Sequence, residues 1–158
     1  MATTYNPAVR QGKAIPTEAG ALKLLREVYT LGASYASADI NNNDLIQVGV
    51  VPAGCKLVPH LSRLSVPVID SNGAPTGDYS VGSATAPGAL KGTAASETAV
   101  TLSGEDFDLV NGALGAKSVD VPIYVKALAD SATTPTTGSF VADWVIRPYE
   151  SGIDSDVL

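Results

Sequence analysis

Asp44-Leu45-Ile46-Gln47-Val48-Gly49-Val50-Val51-Pro52-Ala53-Gly54-Cys55-Lys56-Leu57-Val58-Pro59-His60-Leu61-Ser62-Arg63-Leu64-Ser65-Val66-Pro67-Val68-Ile69 reads as two apolar strands around a Pro52-Ala53-Gly54 turn. Pro52 presets a φ near −65°, and Gly54 accepts the positive φ that other residues avoid, so the chain turns back after Val51 as a strand pair. The segment carries almost no reactive side chains. Such a segment builds a scaffold, not a catalytic centre.

Outward from this segment, Val28 to Leu31 reads as a first strand and the Asn41-Asn42-Asn43 run as a tight connection, because Asn tolerates left-handed backbone. Leu45 to Val51 and Lys56 to Val68 are the clearest strands, the second bent or bulged at Pro59, which has no amide to donate. Tyr79 to Gly82 resumes alternation after the turn-rich loop from Asp70 to Asp78. Ser83 to Thr98 is poor in large apolar groups and reads as a surface excursion. Val100 and Leu102 mark a short strand, and Glu105 to Gly115 is left open between helix and loop. Val119 to Leu128 and Phe140 to Arg147 close the domain, joined across Ser131 to Ser139 as a hairpin. Seven or eight short strands with long loops and no internal repeat predict two packed sheets.

Three regions follow. Residues 1–27 form an N-terminal arm. Within it, Thr17 to Glu27 begins a short helix capped by Thr17 or, since Gly20 weakens that helix and Leu22, Leu24 and Val28 suit a strand, an extended segment. Residues 28–149 form the β-sandwich, and residues 150–158 an acidic tail. A chain of 158 residues buries enough surface to fold without metal or disulfide staples, and its single cysteine, Cys55, cannot form an internal disulfide. No signal-peptide pattern and no apolar run long enough for a transmembrane helix is present, so synthesis in a cytoplasm and no membrane partner are expected.

Charged residues are 16% of the chain, below the roughly 25% of ordinary soluble proteins, which suits a surface that meets neighbours. The net charge of −6 is unevenly placed: residues 1–30 hold four basic and two acidic groups, the remaining 128 six basic and fourteen acidic. Phosphate repulsion opposes direct nucleic-acid binding by such a body.

No catalytic constellation emerges. Cys55 and His60 fall on opposite faces of one strand by parity, and there is no Gly-x-Ser-x-Gly elbow, phosphate loop, dinucleotide fingerprint or zinc spacing. Asp70, Asn72 and Asp78 lack the terminal Glu of a calcium loop and read as a solvated turn. Glu105, Asp106 and Asp108 read as a helix cap or a wet face, and Trp144, Tyr79, Tyr124 and Tyr149 as packing residues. No enzyme activity, metal or cofactor is expected; a small hydrolase using His60 is the disfavoured class.

The strand ending in Val51-Pro52-Ala53-Gly54, the apolar strand after it, and Tyr79-Ser80-Val81-Gly82 resemble a pattern in head decoration, or cement, proteins of tailed bacteriophages. The resemblance covers chiefly residues 40–85. It implies a jelly-roll-like β-sandwich and a non-enzymatic virion protein, made in the host cytoplasm, that sits on the capsid exterior as a homotrimer and bridges major capsid protein subunits. A tail- or fibre-associated protein, including a carbohydrate-binding module, is the alternative. In the decoration reading Tyr5, Val9, Arg10, Lys13 and Ile15 of the arm are the capsid-contact candidates. They offer apolar and charged contact at an ordering cost, multiplied by avidity over a closed shell.

Overall fold

The computed structural model describes residues 4–5, 22–30, 42–67, 79–94, 99–107, 114–116, 118–128 and 138–148. It is mainly β, with two sheets packed as a sandwich. The first sheet runs β1 (Thr4–Tyr5), β3 (Leu45–Val51), β10 (Val121–Ala127), β6 (Tyr79–Gly82) and β7 (Lys91–Ala94). The second runs β8 (Val100–Ser103), β5 (Arg63–Val66), β11 (Ser139–Pro148), β4 (Cys55–Leu57) and β9 (Gly115–Ala116), with β2 (Lys23–Thr30) also paired to β11. The chain passes repeatedly from one sheet to the other, as in a jelly roll.

Residues 44–67 hold three strands, β3, β4 and β5, and the two that flank the Pro52-Ala53-Gly54 turn are not a pair. β3 belongs to the first sheet and β4 to the second, so the turn between them is a corner of the sandwich. The cause is turn chemistry. Cys55 N donates to Pro52 O at 3.0 Å and Gly54 takes φ 76° at the third position, as a type II turn requires. Such a turn splays its flanking strands, whereas a two-residue hairpin needs the opposite twist. Asp120 Oδ1 accepts from Ala53 N at 2.8 Å and Ala116 O from Gly54 N at 2.9 Å, tying the corner to the β9–β10 connection. The closing strands are corrected likewise: β10 and β11 lie in different sheets and do not pair as a hairpin.

β11 is the spine of the second sheet. Its alternating buried positions Phe140, Ala142, Trp144 and Ile146 face the core. β2 runs antiparallel along one of its sides, while β5 and β4 share the other, at 141–143 and 146–148. Between β4 and β5 the chain leaves the ladder in a 3-10 turn, Pro59–Leu61, which is the break expected at Pro59. Ser62 mends the gap: its buried Oγ accepts from Val145 N at 3.0 Å and donates to Val58 O at 2.9 Å. The hydroxyl takes the place of a ladder partner that the turn removes.

Trp144 locks the sheets together. Its Nε1 donates to Val48 O at 2.9 Å, across from β11 to β3. The β3–β10 register shifts there, since Ile123 faces Gly49 and Tyr124 faces Gln47, leaving Val48 without an opposing residue. The indole meets the backbone of Gly49 and, on another side, Phe107 at 6.1 Å between centroids. Tyr29 and Phe140 pack edge to face at 6.1 Å.

Two open readings are resolved and one expectation is corrected. Residues 23–30 are strand, so of the two readings for the end of the arm the extended one holds for Lys23 to Glu27. Ser83 to Thr98 is no surface excursion over its described part: Ala89 and Leu90 are buried, Leu90 N donates to Val81 O at 2.9 Å, and β7 pairs with β6. Glu105 and Asp106 lie in a 3-10 turn, Gly104–Asp106, where Asp106 Oδ2 accepts from Ser103 N at 3.0 Å. The acidic tail of residues 150–158, like most of the arm, lies outside the described residues.

Candidate interaction surface

β2 is apolar on both faces, and this separates it from the other strands. Leu25 and Tyr29 point into the core, while Leu22, Leu24 and Val28, of the opposite parity, are 55%, 58% and 52% exposed. In an antiparallel sheet with one wet face the outward positions are normally polar. Register extends this face across the sheet. Leu24 stands opposite Val145, Val28 opposite Val141, and Val141 in turn opposite Ser65 on β5. Hydroxyl pairs border it, Thr30 with Ser139 and Ser65 with Thr101, each at 3.1 Å.

Charges on this face are ordered. Asp143 of β11 stands between Arg26 on β2 and Arg63 on β5, with Arg26 Nε 3.5 Å from Asp143 Oδ1. The Arg26 side chain nevertheless keeps 67% of its surface exposed, so this contact is solvated and contributes at most about 1 kcal/mol. Arg147 stands opposite Lys56 at the end of β11. Among the described residues the face thus carries four basic groups, Arg26, Lys56, Arg63 and Arg147, against one acidic group, Asp143.

Among the described residues, those singled out by sequence do not converge. Tyr5 lies on β1, whose backbone pairs parallel with β3, Tyr5 opposite Ile46. Val9, Arg10, Lys13 and Ile15 lie outside the described residues, as do Asp70, Asn72, Asp78, Asp108 and Tyr149. Cys55 is buried on β4 and His60 is exposed on the 3-10 turn, so the burial of one and the exposure of the other keep them from forming a nucleophile pair. Trp144 and Tyr79 are core residues, and Tyr124 is half-buried. Among the described residues the Tyr79 hydroxyl has no hydrogen-bond partner, and burial pushes its pKa up to about 12, which leaves it protonated at neutral pH. Among the described residues no group of three His, Cys, Asp or Glu side chains is placed to hold a metal ion.

The sequence marks Leu22, Leu24 and Val28 as one side of an extended segment without saying which way that side points. The signal available was the second apolar set, Leu25 and Tyr29, one residue out of phase.

No protein-family model matches the chain, and no curated protein sequence matches it. Solved structures do. A chain of the capsid of Ralstonia phage GP4 is similar over 89% of this chain and 93% of its own length, with a TM-score of 0.64 and 20% identity. A chain of the cyanophage Pam1 capsid asymmetric unit aligns over 89% of this chain and 96% of its own, with a TM-score of 0.48 and 17% identity. The likeness to the Ralstonia phage GP4 chain is one of fold.

Proposed function

We propose that this protein is a structural component of a tailed-phage virion that decorates the capsid exterior and stabilises it by bridging major capsid protein subunits. The observation that carries the reading is the shared fold, nearly end to end, with a chain of the Ralstonia phage GP4 capsid. The Val51-Pro52-Ala53-Gly54 corner and the Tyr79 to Gly82 strand support it, being elements of the sandwich and the bearers of the decoration-protein resemblance. The role needs no catalytic group, cofactor, membrane or direct nucleic-acid contact. Its partners are the major capsid protein and copies of itself, as a homotrimer. The chain is made in the host cytoplasm and carried on the particle.

In this reading the arm supplies shell contacts through Tyr5, Val9, Arg10, Lys13 and Ile15. Removing residues 1–20 would also remove β1 from its pairing with β3, so point variants are the cleaner test. The double charge reversal Arg10→Glu with Lys13→Glu is expected to weaken binding to expanded heads by about tenfold, two surface contacts of roughly 0.7 kcal/mol each. Co-sedimentation of full-length protein with heads lacking it gives the occupancy. Occupancy equal to wild type would remove the arm from the attachment surface.

A further inference from the structure

We infer that the outward face of β2, β11 and β5 is the docking site of the chain's own acidic segment, Tyr149 to Leu158, which follows β11 directly and folds back over that face of the same molecule. The inference goes beyond the virion reading and does not depend on it.

The first observation is an apolar face that the sandwich itself leaves open. Leu22, Leu24 and Val28 project from one side of β2 and are more than half exposed, beside the half-buried Val141 and Val145 of β11. Register holds them there, because a slip by one residue would expel Leu25 and Tyr29 from the core. A strand that satisfies the core with one parity and still presents aliphatic groups with the other is built to be covered on both sides.

Charge and position select what covers it. The face is basic, with Arg26, Lys56, Arg63 and Arg147 against Asp143. Residues 149–158 hold Glu150, Asp154 and Asp156 and no basic residue, together with the aliphatic Ile153, Val157 and Leu158, so they match the face in both sign and polarity. They also start at its edge: Pro148 ends β11, Arg147 stands opposite Lys56, and Val145 opposite Leu24. Gly152 permits a reversal of direction. Beyond it, residues 153–158 span about 20 Å when extended, more than the roughly 13 Å from Arg147 back to Asp143 along β11. In such a run Ile153 and Val157 share one side and meet the aliphatic stripe of β2. Asp154 and Asp156 lie on the other side, where the long, exposed side chains of Arg26 and Arg63 reach past the segment to them. Tethering makes a weak contact sufficient: at an effective concentration on the order of 1 mM, an intrinsic dissociation constant of about 0.1 mM keeps the segment docked about ten to one. Any other partner for this face must first displace it.

The test is methyl NMR of the full chain carrying a nitroxide on Ser155→Cys; Cys55 is buried and escapes the label. The methyl groups of Leu22, Leu24 and Val28 are expected to relax faster than in the diamagnetic control. Those of Leu128, exposed at the end of β10 away from the Pro52-Ala53-Gly54 corner, are expected to be unchanged. Arg26→Glu with Arg63→Glu is expected to lower the docked ratio about tenfold, from about ten to one to about even, which roughly halves the enhancement. Asp154→Arg with Asp156→Arg is expected to do the same, and all four changes together to restore it, a rescue that loss of local structure would not give. No enhancement on β2, or equal enhancement at Leu128, would overturn the inference. So would enhancement seen in a mixture where nitroxide and isotope labels are on different molecules, since the segment would then lie on a neighbouring copy.

Discussion

Gly49→Ala is expected to lower the free energy of unfolding by about 3 kcal/mol, measured by urea denaturation of the purified protein. In most strands the same change is mildly favourable, because glycine interiors are destabilising by about 0.5–1 kcal/mol relative to alanine. The local geometry reverses the sign. A Cβ on Gly49 would overlap Nε1 and Cδ1 of Trp144, a side chain that is fully buried and fixed by its hydrogen bond to Val48 O. The indole cannot move aside without leaving that carbonyl unpaired in the interior, where the penalty is roughly 1–3 kcal/mol. A second change, Trp144→Leu, should therefore cost less in the Gly49→Ala background than alone, the coupling expected of groups in contact. A cost below about 1 kcal/mol for Gly49→Ala would mean that the indole does not lie over β3.

Leu90→Ala is expected to cost about 3 kcal/mol, within the range for truncating a fully buried leucine. Leu90 is wholly buried between the turn after β6 and the start of β7, and Ala89 beside it is buried as well. Backbone bonds hold the turn closed: Ser83 N and Ala89 N both donate to Ala86 O, at 3.1 Å each, and Ala86 N donates to Ser83 Oγ at 3.0 Å. Gly82 allows this fold-back, since a Cβ there would collide with Ala86 O. Thermal or denaturant unfolding distinguishes the two descriptions of this segment. A surface leucine would shift stability by no more than about 0.5 kcal/mol.

The contrast between these two positions shows what the sequence made legible. β3, β6, β8, β10 and β11 are all visible as apolar runs or alternations, because strands in a sandwich bury every second side chain over several residues. Ser83 to Ala94 offers one large apolar group, Leu90, among small ones, and a single buried leucine sets up no period. Pairing was less legible than strand formation. The positive φ of Gly54 was readable from Pro52-Ala53-Gly54, but whether the turn joins partners or turns a corner depends on where the one positive φ falls among its four residues. The indole beneath Gly49 depends on a bulge at Val48 that only the register with β10 reveals.

The candidate surface was legible only in part. Leu22, Leu24 and Val28 were recognisable as one side of a strand, but nothing in the pattern says whether that side meets the core or the outside. Leu25 and Tyr29 take the core, because they align with Trp144 and Phe140 on β11 and pack with that strand's inward set. Local pattern cannot rank two apolar faces of one strand; the partner strand does so. The charge order Arg26, Asp143, Arg63 is likewise spread over three strands that are distant in sequence and meet only through register.

A cryo-electron-microscopy map of intact virions tests the capsid-decoration reading most directly. The expected result is density for the sandwich on the outer surface of the shell, each copy touching more than one major capsid subunit. A shell whose outer surface is bare, with this chain found in the tail or missing from the particle, would contradict it.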